Sequence, residues 1–179
     1  MSKSFAYCLF IAFFWLVGIT SIQSQSRYID DPGVRNSYML NQINNLRSKG
    51  CKCGRKRMKS VPRLQWNKTL AYSAYTYAQQ MHQYNFFAHR SIEGKDIGDR
   101  LDDLEYKWQY AGENLAEGQK TFESAFEDWL ASPTHCEMLM NPNMTEMGLA
   151  KYGKYWVHHL AAPMPKNTRR IRTRYKEGE

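Results

Sequence analysis

Apolar residues recur at helical spacing in three stretches of the chain, and the gaps between them hold the residues with chemistry. Met39, Ile43 and Leu46 share one face of a helix over 34–48, with Gly50 as a natural stop just past its end. Leu70, Ala74, Ala78 and Met81 share a face of a second helix that Asn67 is placed to cap, and its alanines let another layer approach closely. Phe122, Ala125, Phe126, Trp129 and Leu130 make a wide apolar stripe on a third, begun by Thr121 and stopped by Ser132-Pro133. The same Ser-Pro pair can start another short helix with His135 and Cys136 on its first turn. A further short helix fits 97–104. Between Thr145 and Pro163 two strands read as a hairpin turning at 152–154. "FFAHRS", residues 86–91, breaks the helical period. "YAGENLA", residues 110–116, reads as an apolar bend that sets the carboxylate of Glu113 between Gly112 and Asn114. Strand and helix do not alternate regularly, which predicts a layered α+β fold and not a doubly wound one.

The start of the chain stands apart. Lys3 leads into "FAYCLFIAFFWLVGIT" and then into polar "SIQSQS". A basic start, an apolar middle and a small-residue exit predict a secretory signal peptide over 1–24, cleaved near Ser24 or Ser26. The rival is a membrane anchor, since the run approaches spanning length, but no charged stop-transfer cluster follows it. Cleavage makes the remainder secreted or extracytoplasmic, with a domain over 33–164 and a basic, mobile tail over 165–179.

Export changes the reading of the cysteines. Cys8 lies in the leader, and Cys51, Cys53 and Cys136 remain where disulfides form. Three thiols allow one bridge and leave one over. A Cys51–Cys53 bridge would be strained, so Cys136 is expected to pair with one of them, and a zinc site on the C-x-C segment is the rival. The formal charge of +8 is also uneven: 47–63 holds eight bases and no acid, and the tail holds six bases and two acids. What remains is mildly acidic. Such runs either are solvated loops or bind an anionic polymer, and the loop lacks the interleaved aromatics that base stacking needs.

Of five histidines, His89 follows two phenylalanines at a break between elements, and His135 opens a helix beside a cysteine. With Glu113 they make a ligand set for a divalent metal such as zinc, or a general acid–base set. They are far apart in the chain, so only the fold can join them. Ser132 with His135 is a nucleophile–base candidate, though a Ser-Pro cap accounts for Ser132 more simply. There is no nucleophile elbow, zincin helix, P-loop or dinucleotide fingerprint.

The order of "NQINNLRSKG", "LQWNKTLAYSAYTYAQQM", "NFFAHRS", "YAGENLAEGQ", "WLASPTHCEMLMNPNMTEMGLAKYG" and "YWVHHLAAP" resembles the CAP superfamily. That superfamily takes in the cysteine-rich secretory proteins, the antigen 5 allergens and the plant pathogenesis-related proteins. The likeness, over about 37–163, is strongest to the bacterial secreted SCP-like branch. It implies an α–β–α sandwich with a central antiparallel sheet and helices on both faces. It also implies a central cleft lined by His89, Glu113 and His135, with Glu146 as a support. Two positions depart from the animal and plant pattern: Ser132 stands where those members carry a Glu, and Tyr155 where they carry a His. His158 and His159 replace a Gln-Val pair, and strand alternation sends one of them toward the cleft, with His158 as the extra cleft candidate.

The resemblance implies a secreted binding domain without established catalysis, its cleft holding a divalent metal and recognising a lipid, glycan or cell-envelope component. The alternative is a metal-dependent, peptidase-like hydrolase, with zinc on His89 and His135 and Glu113 as third ligand or general base. A third reading places an anionic polymer on 47–63 and the tail.

Overall fold

The structure, a computed structural model, describes residues 32–165 and 173–175. The expected signal peptide and most of the basic tail lie outside the described residues. By its contacts the chain divides into Met1–Tyr38 and Met39–Glu179. The described part of the first unit is the opening of helix α1, and the sandwich lies in the second.

In chain order the elements are α1 (Pro32–Lys49), β1 (Cys51–Cys53), β2 (Lys56–Met58), β3 (Gln65–Trp66), α2 (Lys68–Tyr84), α3 (Ile97–Asp103), β4 (Trp108–Glu117), α4 (Phe122–Ala131), α5 (Pro133–Leu139), β5 (Glu146–Tyr152), β6 (Tyr155–Pro163) and β7 (Thr173–Arg174). The main sheet has the order β3-β5-β6-β4-β7. Its three long strands are antiparallel, and the two-residue strands at either edge run parallel to their neighbours. The fold is thus the expected α+β sandwich. One face of the sheet carries α2 and α3, through Ala74, Tyr77, Ala78 and Met81 against Leu115 and Val157, and through Ile97 and Leu101 against Ala111 and Ala161. The other carries Met39 and Ile43 of α1 together with α4 and α5, packed on Met147, Leu149, Trp156 and Leu160.

The local signals explain most of these elements. Asn67 Oδ1 accepts from the backbone N–H of Thr69 and Leu70 at 2.8 and 3.1 Å and starts α2. Thr121 Oγ1 accepts from Ser124 N and starts α4. Pro133 occupies the first turn of α5, but the Ser132 hydroxyl lies 3.3 Å from Thr134 Oγ1 and does not cap the helix. The alanines of α2 do allow a close approach. A Cβ on Gly148 of β5 would sit 2.0 Å from Ala71 N, so that strand position takes no side chain.

Three expectations need correction. "YAGENLA" is no bend but the heart of β4, paired residue by residue with β6 from Tyr110 to Glu117. Its core, from Ala111 to Ala116, is buried on both faces, so it lacks the alternation that marks a half-covered strand. The basic stretch is no plain loop: β1 and β2 form a hairpin, and its first base is not on the surface. Arg47 is fully buried. Its Nε donates to Pro62 O at 2.8 Å, Nη1 to Leu139 O and Asn141 O at 2.7 and 3.1 Å, and Nη2 to Met144 O at 3.1 Å. One guanidinium thus ties the end of α1 to the end of α5 and to two loops. Lastly, Thr173–Tyr175 of the tail is docked: β7 pairs with Tyr110 and Ala111, and Arg174 binds Asp96 and Asp99 at 3.0 Å each.

Replacing Arg47 with alanine removes its hydrogen bonds to four carbonyls, of which Asn141 O keeps a second donor in Met144 N. We expect Arg47→Ala to lower the unfolding free energy by about 3 kcal/mol or more in denaturant melts, and Lys49→Ala, on the exposed end of the same helix, to change it by less than about 0.5 kcal/mol.

Candidate functional site

Glu113 is the one acidic side chain inside the sheet's long strands that is almost wholly buried among the described residues, at 1% exposure. In the sheet it lies beside His159 of β6, which lies beside Gly148 of β5, so all three share the face toward α2. Both of its oxygens are used. Oε1 accepts from His89 Nδ1 at 2.8 Å. Oε2 accepts from Arg100 Nη2 and from His159 Nε2, both at 2.7 Å.

Each partner is held from behind. Arg100 projects from α3, whose first turn is fixed by a reciprocal capping box between Asp96 and Asp99. Its guanidinium carbon lies 3.5 Å from the centre of the Tyr77 ring on α2. Arg100 Nη1 donates to His89 O and Lys95 O at 3.2 and 2.9 Å, and the Tyr77 hydroxyl donates to Ala88 O. The segment that carries His89 is therefore strapped to both helices, and its ring, 38% exposed, leans back onto Glu113.

Burial alone would raise the Glu113 carboxyl. The Arg100 charge and the hydrogen bonds from His159 and His89 outweigh it and hold that carboxyl well below the usual carboxylate range. His159 is pushed down, first by burial, against the opposing pull of Glu113. A neutral ring that donates from Nε2 satisfies that contact.

His158, the extra cleft candidate, is not in this cluster. It points to the opposite face and stacks on Trp129 with ring centroids 5.6 Å apart. Burial, then His159 and Arg47, lower it to about 3. Strand alternation does select one of the pair, and it selects His159. His135 lies half-buried on the first turn of α5, at the rim of a cavity of about 390 Å³ shared with Phe87, Leu115 and Trp129. Its pKa is lowered by burial and then by His89, so the two imidazoles sense each other's charge. Glu146 is the first residue of β5, two before Gly148, and its Oε2 accepts from Asn67 Nδ2 at 2.8 Å and from Tyr106 Oη at 2.7 Å. It fixes the residue that caps α2. Among the described residues, the set whose three metal-binding atoms all lie within 4.8 Å of one another is Cys51, Cys53 and Cys136, and not His89, Glu113 and His135.

The residues missed from sequence are Arg100 and Tyr77. The rule that a buried carboxylate needs a cation demanded some such partner. Nothing in "GDRLDD" said which base it would be.

Residues 40–157 match the family described as CAP: Cysteine-rich secretory protein family. The chain belongs to that family. It is 33% identical over 99 residues to the uncharacterized protein YkwD of Bacillus subtilis (strain 168), covering 54% of this chain and 38% of that one. It is 31% identical over 100 residues to the uncharacterized membrane protein YlbC of the same organism, covering 56% of this chain and 29% of that one. The matched region thus spans well under half of these curated relatives. Among solved structures, an extracellular protein containing a SCP domain from Bacillus anthracis str. Ames aligns with TM-score 0.58 and 27% identity, over 70% of this chain and 41% of that one. An outer surface protein from Borrelia burgdorferi shares the fold, with TM-score 0.62 and 20% identity over 72% of this chain and 92% of that one. No helix among the described residues is long and apolar enough to cross a membrane.

The depressed pKa values set an acid limit on the fold. Below about pH 6.5 the unfolded chain protonates His158, which the folded chain keeps neutral down to about 3, so stability falls with pH by up to about 1.4 kcal/mol per unit, and the lowering of His159 acts in the same direction. Glu113, lowered in the folded state, adds stability that is complete above about pH 5 and is lost as pH drops through the folded pKa. Denaturant melts should lose stability from pH 7 to 5. His158→Phe should flatten that slope and leave the protein at least as stable as the parent at pH 5.

Proposed function

We propose that this chain is an exported CAP-domain binding protein whose cleft takes a divalent metal through His89 and His135 and, beside it, a lipid, glycan or cell-envelope component. The observation that carries the reading is the way Glu113 holds His89. With Nδ1 donating to the carboxylate at 2.8 Å, a neutral His89 ring has its lone pair on Nε2. This is the carboxylate–histidine arrangement that orients an imidazole toward a metal and makes it more basic. The lowered pKa of His135 keeps its lone pair available at neutral pH. Two imidazoles suit a borderline ion such as zinc, which when bound would supply a Lewis-acidic anchor for an anionic or carbonyl group of the ligand.

Glu113 does not fit as the third ligand. Both oxygens are occupied, and the Arg100 guanidinium at 2.7 Å places a positive charge where a dication would approach. The same contacts weigh against the hydrolase alternative. A general base must accept a proton near neutral pH, and a carboxyl held far below its usual range does not. Export rests on the leader pattern of the first 24 residues and on similarity to an extracellular protein.

Calorimetric titration of the full chain with Zn²⁺ tests the assignment. His89→Ala and His135→Ala should each remove most of the affinity. Glu113→Gln, which alters an orienting group and not a ligand, should weaken binding about 10- to 100-fold without abolishing it. Unchanged affinity in both histidine variants would refute the site.

A further inference from the structure

The β1–β2 hairpin holds chemistry that the cleft does not use. Cys53 is bridged to Cys136 of α5. Cys51 is a free thiol two residues earlier on β1, with its Sγ 3.7 Å from Cys53 Sγ and 3.7 Å from Cys136 Sγ. All three sulfurs lie within 4.8 Å of one another. Met58, opposite Cys51 on β2, and Met140, just past α5, pack into the same cluster, so five of its eight side chains carry sulfur.

We propose that Cys51, Cys53 and Cys136 form a binding site for one thiophilic d10 cation of the zinc class, opened by reduction of the Cys53–Cys136 bridge. The step balances with a dithiol as reductant. The dithiol gives two electrons and two protons to the S–S bond and becomes a disulfide itself, leaving two thiols beside Cys51. Binding the ion then releases thiol protons to solvent.

Four observations converge on this assignment. First, in a tetrahedral site with metal–sulfur bonds of about 2.3 Å, neighbouring sulfurs stand about 3.8 Å apart, and Cys51 already lies 3.7 Å from both of the others. Second, the C-x-C spacing suits a strand. Residues i and i+2 of β1 project to the same side, and there both reach the thiol of α5. Third, Cys53, Cys136 and Met140 are buried, and among the described residues the ligand atoms grouped there are three sulfurs, with no carboxylate or imidazole in the group. That donor set selects soft ions over calcium or magnesium. Fourth, three thiolates around a dication leave one net negative charge. Lys52, Arg55 and Arg57 are exposed on the same hairpin, and Lys59 just past it, to offset that charge. The ion would hold the hairpin to α5 in the reduced state, as the bridge does in the oxidised one. A surplus third cysteine is unnecessary for a bridge and necessary for this site.

The test uses the full chain carrying His89→Ala and His135→Ala, so that ions in the cleft do not contribute. The protein is reduced with a phosphine, freed of reductant without oxygen, and titrated with Cd²⁺ by ultraviolet absorption and with Zn²⁺ by calorimetry. One ion per chain is expected, with a thiolate-to-cadmium band that is absent from the oxidised protein. Cys51→Ser, whose fold is first verified with the bridge intact, should lose most of the band and bind Zn²⁺ at least about tenfold more weakly, since changing even a partner of a ligand costs about that much. Zn²⁺ should also raise the melting midpoint of the reduced parent more than that of reduced Cys51→Ser. No band in the reduced parent, an equal band in Cys51→Ser, or equal midpoint shifts would overturn the proposal.

Discussion

A carboxylate in the middle of a strand covered on both faces cannot stay charged without a partner, and the partners of Glu113 organise one side of the molecule. Arg100 brings α3, and its guanidinium lies flat on Tyr77 of α2. His159 brings β6, and His89 brings the segment between the two helices. Removing the acid would leave the Arg100 guanidinium, only 10% exposed, without its counter-charge, which costs more than the pair itself contributes. The site is therefore built from the same contacts that set the layer spacing.

The opposite face uses a different device. There the buried base is Arg47, and it is met by backbone carbonyls instead of an acid. Burial lowers its pKa to about 10, which leaves it charged at neutral pH. The Cys53–Cys136 bridge fastens the hairpin to α5 close by. The two faces thus meet at β4 and β6, and adjacent residues of β6 divide between them: His159 serves the carboxylate, and His158 packs against indole.

Helices were legible in the sequence because their signals are local: an apolar face at i, i+4, a capping Asn67 or Thr121, and a stop at Gly50 or Pro133. The β5–β6 hairpin was legible for the same reason. β4 was not, because a strand buried on both sides shows no alternation, and its Gly112, Asn114 and alanines are poor strand formers in isolation. At the candidate site, His89 and Glu113 could be named from the motifs that resemble the family, and the structure puts them 2.8 Å apart. Arg100 could not be named, since its place depends on how α3 docks. Which of two adjacent histidines faces in depends on register, and no local signal fixes that.

The docked stretch Thr173–Tyr175 gives the chain's last segment a role in guarding the sheet. β7 occupies the outer side of β4 at Tyr110 and Ala111, and Arg174 clasps the two aspartates that begin α3. Trimming by a protease ahead of Thr173 would do two things at once. It would bare backbone donors and acceptors at the rim of a hydrophobic strand, an adhesive edge for a neighbouring chain, and it would loosen the helix that delivers Arg100.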